Sequence, residues 1–288
     1  MGEAVATQRS LYSYLLLAPM LGVIIVFLLL PLIMVGIVSL YKQIGTVYVP
    51  ELNLNNYVRF FTDPNIYGIL LSTLANSAIV TVMAFILAYP VAYFLTMKIR
   101  TFRAKTILLI AMLIPFWIDF TTRALSWIPW LGIQGILNQV LTGLGILREP
   151  SPIFLFSPFA MLLVMIQGYT LFMIAPIFIV MSKIDPTLYE AARALGASPL
   201  KTFYHINLKL TMPGIGVGIV FVFLSSVADF ATPRLIGGLV TSIGQVIRDQ
   251  VVFLNLPLAS AISVILTLIA LAIVITVFKL MNIRQVFE

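Results

Sequence analysis

The stretch 185–213, DPTLYEAARALGASPLKTFYHINLKLTMP, is the one long polar interruption in a chain otherwise made of apolar runs. Asp185 before Pro186 is an N-cap followed by proline at the first helical position, and Gly196 tolerates the left-handed conformation that ends a helix. The spacing predicts a short helix over 186–195. Ser198 before Pro199 repeats the start signal, so a second short helix is expected from Pro199 through Thr202, Tyr204 and His205 toward the next apolar run. Ala191, Ala192 and Ala194 let another surface come close, while Leu188, Tyr189 and Leu195 offer apolar contacts of the helix-in-groove kind. Glu190 adds one negative charge near the positive end of the helix. The unit reads as a helix, a tight turn and a second helix lying outside a bilayer.

What surrounds this unit is membrane. The chain has 288 residues, 61% hydrophobic and 9% charged, with a mean hydropathy of +1.10, outside the range of soluble globular domains. A helix of about 20 residues crosses about 30 Å of hydrocarbon. Runs of that order occur near 13–40, 68–97, 106–127, 157–181, 212–233 and 258–280, which gives six spans. No internal repeat, low-complexity tract or interdomain linker interrupts them, so residues 1–288 read as a single membrane domain with a docking loop over 182–211. The first apolar run is too long for the core of a secretory signal, and no small-residue cleavage site closes it. With no cysteine and one histidine, His205, the chain has no Cys/His metal site and no cofactor is expected.

The net charge of +7 could match nucleic acid, but its placement argues for membrane topology instead. With six spans both termini share a side. That side carries eleven basic residues: Arg9, Lys98, Arg100, Arg103, Lys105, Lys183, Arg193, Lys201, Lys209, Lys279 and Arg284. The other carries four: Lys42, Arg59, Arg148 and Arg248. The positive-inside rule puts the first set, both termini and the 185–213 unit in the cytoplasm. The KIRTFRAK turn after the second span suits contact with anionic lipid.

Few ionisable groups lie within the spans, and each is costly there. In IPFWIDFTTR, Asp119 and Arg123 stand four apart, the spacing of one helical face. Asp229 and Arg234 mark the outer end of the fifth span, whose Gly214, Gly216 and Gly218 allow close helix packing. Two readings stand for each acid: an ion pair with its arginine, or a ligand along a solute path. Trp117, Asp119, Tyr169 and Asp229 form the candidate path for a cationic solute, through charge pairing and ring faces. Trp127 and Trp130 suit interfacial anchoring. Gln167 and Tyr169 equally suit hydrogen bonds between helices.

The 185–213 unit resembles the cytoplasmic loop of the permease subunits of binding-protein-dependent ABC importers. That family carries EAA, three residues, G, nine residues, I, one residue, then LP. Glu190, Ala191, Ala192, Gly196, Ile206 and Leu208 match in register, and Lys209 replaces the proline. Asn56 and Tyr57, before the second span, match another family motif. The segments IPFWIDFTTR, EAARALGASPLKTF, DFATPRLIGG, IGQVIRDQ and LASAISV resemble the spermidine/putrescine branch, in its first permease subunit.

The resemblance implies an all-α integral membrane protein of the bacterial inner membrane, with six transmembrane helices in the type I ABC importer permease fold and a cytoplasmic coupling helix. It implies ATP-binding cassette ATPase subunits docking on Glu190, Ala191, Ala192, Gly196, Ile206 and Leu208. It further implies a second permease, identical or homologous, and an extracytoplasmic binding protein that delivers the small-molecule substrate. The chain has no G-x-x-x-x-G-K-[ST] loop, so ATP hydrolysis falls to a separate subunit and the permease is not an enzyme. A polyamine such as spermidine or putrescine is the expected cargo. γ-Aminobutyrate, opines, phosphonates and ferric iron are carried by related permeases. An ion-coupled secondary transporter is a further reading, which the docking motif opposes, as it opposes a channel. A membrane enzyme would need a catalytic cluster that the spans lack.

Overall fold

The computed structural model describes residues 18–99 and 101–281. Residues 13–17 of the first expected span, together with Arg9, Arg100 and Arg284, lie outside the described residues. The described chain gathers into two compact units. One holds the residues through Asp63 together with Ile247–Leu268, and the other holds Pro64–Val246 together with 269–281.

In the first unit, α1 (Ala18–Val38) is apolar along its whole length and exposes Phe27, Leu28 and Ile33, as a helix bathed in lipid would. The polar segment after it contains an antiparallel hairpin of β1 (Lys42–Ile44) and β2 (Val47–Val49), where the sequence predicted only a loop with a short amphipathic piece. That piece is α2 (Asn55–Thr62). Asn56 Nδ2 donates to the carbonyls of Ser39 and Tyr41, both at 2.9 Å, and the Ser39 and Tyr57 hydroxyls share a hydrogen bond of 2.7 Å. Asn56 and Tyr57 therefore fix where the chain leaves α1, Asn56 by satisfying carbonyls that the helix end leaves open and Tyr57 by holding the Ser39 hydroxyl.

The second unit is built on three long helices: α3 (Pro64–Met97), α8 (Pro158–Met181) and α10 (Pro199–Ala228). On α3, Ala84, Ala88 and Ala92 recur every four residues and are fully buried. On α10, a Cβ added to Gly214 would lie 2.6 Å from the Pro176 carbonyl oxygen of α8, and one added to Gly218 would strike the Met173 sulfur. Small residues set the helix separation, because lipid supplies no hydrophobic drive between helices and association depends on close packing. Met161, Met165, Met173, Ile177 and Met181 then fill the space between the helices.

The third expected span, 106–127, is not one helix. α4 (Phe102–Leu113) tightens into a 3₁₀ turn over Ile114–Trp117, and the chain turns by 93° before α5 (Phe120–Leu125). Pro115 weakens the helical ladder here. Asp119 then turns its carboxylate onto its own backbone, accepting from the Thr121 and Thr122 N–H groups at 2.9 and 3.2 Å. An aspartate that caps a new helix cannot lie on a face of the old one. The segment continues through α6 (Ile128–Leu131) and α7 (Ile136–Gly143), held by fully buried Asn138, which bonds to Gly132 and to both backbone groups of Ser151.

α8 is followed by α9 (Thr187–Ala194) and then α10. α10 ends at Ala228, short of the predicted 233, and leads to α11 (Ala231–Ile236), α12 (Ile243–Val252) and α13 (Leu256–Leu280). Among the described residues five helices are long and apolar enough to cross a membrane, and the count reaches six when the bent pair 103–117 and 120–143 is taken as one broken span.

The tight contact of α8 with α10 predicts that Gly214→Ala costs about 1–3 kcal/mol, as overpacking does, and lowers the melting temperature of the purified protein. Gly68→Ala, in α3 with nothing within 4 Å of the new methyl, should melt at or slightly above the wild-type temperature. Equal melting of the two variants would contradict this packing.

Candidate functional site

The polar stretch folds as its capping residues dictate. Asp185 Oδ1 accepts from the Thr187 N–H at 2.9 Å and starts α9. That backbone N–H holds the Asp185 carboxyl below its ordinary value, so its contribution to the helix start is present at neutral pH and fades as pH falls through the lowered value. Gly196 adopts φ +72°, a conformation costly for any residue with a Cβ. Ser198 Oγ accepts from the Lys201 N–H at 3.3 Å and starts α10. No break follows. α10 runs from Pro199 to Ala228, passing through a π-helical turn over Phe203–Leu208. Lys209, in place of the motif proline, continues the helix, and Pro213 is accommodated inside it.

Glu190, Ala191 and Gly196 are exposed, whereas Ala192, Ile206 and Leu208 are half-buried. The structure thus separates the six motif positions into a presented set and a supporting set. Leu195 is 87% exposed and Leu200 65%, which leaves two large apolar side chains free at the turn. A cleft of about 380 Å³ opens between α9 and the C-terminal end of α3, lined by Tyr93, Lys98, Tyr189, Glu190, Arg193 and Asn207.

The four residues of the candidate path fall into two pairs. Trp117 is 93% exposed and adjoins exposed Asp119 at the break in the third span. Tyr169 and Asp229 are buried and joined: the phenol donates to Asp229 Oδ2 at 3.1 Å and to the Ser225 carbonyl at 3.2 Å. Asp229 Oδ1 accepts from the Ala231 and Thr232 N–H groups at 3.0 Å each, which starts α11. A polar cavity of about 10 Å³, the size of one water, lies beside Asp229 and is lined also by Thr73, Asn76, Ser77, Ser226 and Ser242.

Neither expected ion pair forms. Both acids cap helices; Arg234 is exposed, and Arg123 goes elsewhere. The Arg123 guanidinium lies 5.2 Å from the ring centres of both Phe116 and Phe120, and its Nη2 donates to the Ile118 carbonyl at 3.4 Å. Phe120 in turn stacks on Tyr169 at 5.1 Å, an arrangement in which aromatic faces take over part of the stabilisation of the cation. The sequence reading missed Phe116 and Phe120. Phe120, three residues before Arg123, shares α5 with it, and that spacing was a helical signal; Phe116, seven residues before, lies across the bend, so its spacing does not report the meeting. Gln167 is exposed, and the interhelical hydrogen bond falls to Tyr169.

Asp229→Ala removes the cap of α11 and the acceptor of Tyr169 together. It should cost more than Tyr169→Phe, which removes the phenol's hydrogen bonds to Asp229 and Ser225, a loss of about 1–3 kcal/mol. The double variant should melt close to Asp229→Ala alone, because the two groups share one interaction. Strictly additive melting shifts would show that the Tyr169–Asp229 bond contributes nothing.

Residues 107–285 match the family described as binding-protein-dependent transport system inner membrane component. The spermidine/putrescine transport system permease protein PotB of Escherichia coli (strain K12) is 33% identical over 259 residues, covering 88% of this chain and 92% of that protein. Among solved structures, a chain of a bacterial ABC transporter involved in the import of the acidic polysaccharide alginate superposes with a TM-score of 0.72 at 18% identity, covering 98% of this chain and 99% of that one. The bacterial alginate ABC transporter in complex with an alginate pentasaccharide-bound periplasmic protein gives the same TM-score at 17% identity, over 94% of each chain. The fold of the type I importer permeases is shared, and the family match takes in both the 185–213 unit and the Tyr169–Asp229 pair. This chain belongs to the inner membrane components of binding-protein-dependent transport systems, as a multi-pass permease subunit.

Proposed function

We infer that the chain, acting as one permease domain over residues 1–288, forms with a second permease the pathway of an ATP-driven importer for a polyamine such as spermidine or putrescine. The cargo reading rests on the one-third identity to PotB over nine-tenths of the chain. The energy enters at the turn around Gly196. An exposed helix that offers Leu195 and Leu200 to a partner, carries Glu190, Ala191 and Ala192 beside them, and runs on into a membrane span is suited to receive an ATPase subunit and pass its motion inward. This exposed turn is the observation that carries the reading.

The excess of basic residues beside α9 supports a cytoplasmic position for the docking helix and for both termini. A binding protein then delivers solute at the opposite face. At the break in the third span, Trp117 presents a ring face and Asp119 a carboxylate, the two groups that a polyammonium ion pairs with. Tyr169 and Asp229, fully engaged with each other and with α11, shape the path from behind.

The test is reconstitution of the permease with its ATPase, its second permease and its binding protein in proteoliposomes. Wild-type complex should take up radiolabelled spermidine with ATP hydrolysis stimulated by loaded binding protein. Glu190→Lys and Gly196→Val should lose the stimulation with the complex still assembled. Asp119→Asn should weaken uptake about tenfold or more, the loss of one hydrogen bond to a charged group, with basal hydrolysis unchanged. Full stimulation in both docking variants would refute the docking site, and absence of polyamine uptake by the wild-type complex would refute the cargo.

A further inference from the structure

The docking helix is tied to the membrane core by residues that lie outside the EAA pattern. Tyr189 precedes Glu190, and Asn207 occupies the free position between Ile206 and Leu208. The Tyr189 hydroxyl donates to Asn207 Oδ1. Burial, with Tyr93 and Tyr89 nearby, pushes the Tyr189 phenol up to about 12, so it stays protonated and able to donate at any physiological pH. Asn207 is 3% exposed. Its backbone carbonyl accepts from Thr211 Oγ1 at 2.6 Å, and Thr211, fully buried, approaches the Tyr89 hydroxyl of α3 at 3.4 Å. The Tyr89 ring meets Phe203 edge-on at 5.6 Å and Phe85 at 5.7 Å.

Phe203, Asn207 and Thr211 recur every four residues and share one face of α10. Asn207 sits within the π-helical turn, a feature that concentrates at functional positions. On the side where α9 faces the end of α3, the cleft of about 380 Å³ leaves space in place of packing. With so little else bracing that side, the buried polar link has an outsized part in fixing the orientation of α9. An unpaired Asn207 amide in this place would be costly.

We propose that Tyr189 and Asn207 are positioning residues that lock the docking helix to α10, so that a push on α9 turns the fifth span with it as one body. The inference builds on the coupling role given to α9 above. Thr211 and Tyr89 extend the link to the second span, the neighbour against which α10 must move.

Because the chain has no cysteine, spin labels can be placed cleanly at Thr187→Cys on α9 and Leu210→Cys on α10 in the assembled complex. The distance between them should keep one narrow distribution with and without ATP. Tyr189→Phe, which keeps the ring, and Asn207→Leu should each broaden it when ATP binds. Spermidine taken up per ATP should fall about threefold to tenfold, the range for one neutral hydrogen bond, and the double variant should do no worse than the poorer single one. A distribution in Tyr189→Phe as narrow as wild type through the ATP cycle would overturn the lock. Glu190→Lys separates this from the docking site itself: it should keep the narrow distribution and lose the ATPase stimulation, and retained stimulation there would refute docking whatever the labels report.

Discussion

The contact of Gly214 and Gly218 with Pro176 and Met173 is the constraint on which the second unit depends. Two helices that meet backbone to backbone at Gly214 and backbone to side chain at Gly218, with no room for a methyl group, have one depth of approach and little freedom to slide. The alanines of α3 close the third side of the same core. In lipid, where apolar side chains gain nothing by leaving their surroundings, such fitted surfaces are what hold spans together. The methionines that fill the remaining space are adaptable, which suits a core that must tolerate small shifts between states.

A fitted pair of helices also carries motion. α10 emerges from that core without a break and ends at Ser198 and Gly196, beside the exposed Leu195. The π-helical turn, the Tyr189–Asn207 bond and the Thr211–Tyr89 approach lie along one stretch between α9 and the packed glycines. At the far end of α10, Asp229 redirects the chain into α11 and holds Tyr169 of α8. The same span therefore touches α9 at one end and the buried polar cluster at the other.

Much of this was legible in the sequence because it is local chemistry. Asp185, Ser198 and Gly196 announce their caps and their turn within a few residues, and the structure places all three as expected. Long apolar runs gave the spans for the same reason. Asp119 shows where such reading fails: it caps the helix that carries Arg123, and its carboxylate is taken by the first N–H groups of that helix, so the i, i+4 spacing brings no pair. Tyr189 and Asn207 are eighteen residues apart, and nothing in the periodicity of either helix reports their meeting. The Lys42–Val49 hairpin escaped notice because two three-residue strands carry too little pattern to stand out from a loop.

The central claim, that the turn around Gly196 is the cytoplasmic face through which an ATPase drives this permease, is tested most directly at Leu195. A single cysteine there is unique in the chain, and its parent side chain is 87% exposed. In membrane vesicles holding the complete complex, Leu195→Cys should react with an impermeant thiol reagent only from the cytoplasmic side and, with a short bifunctional reagent, cross-link to the ATPase subunit. Labelling from the outer side, or a cross-link to the binding protein in place of the ATPase, would contradict the account.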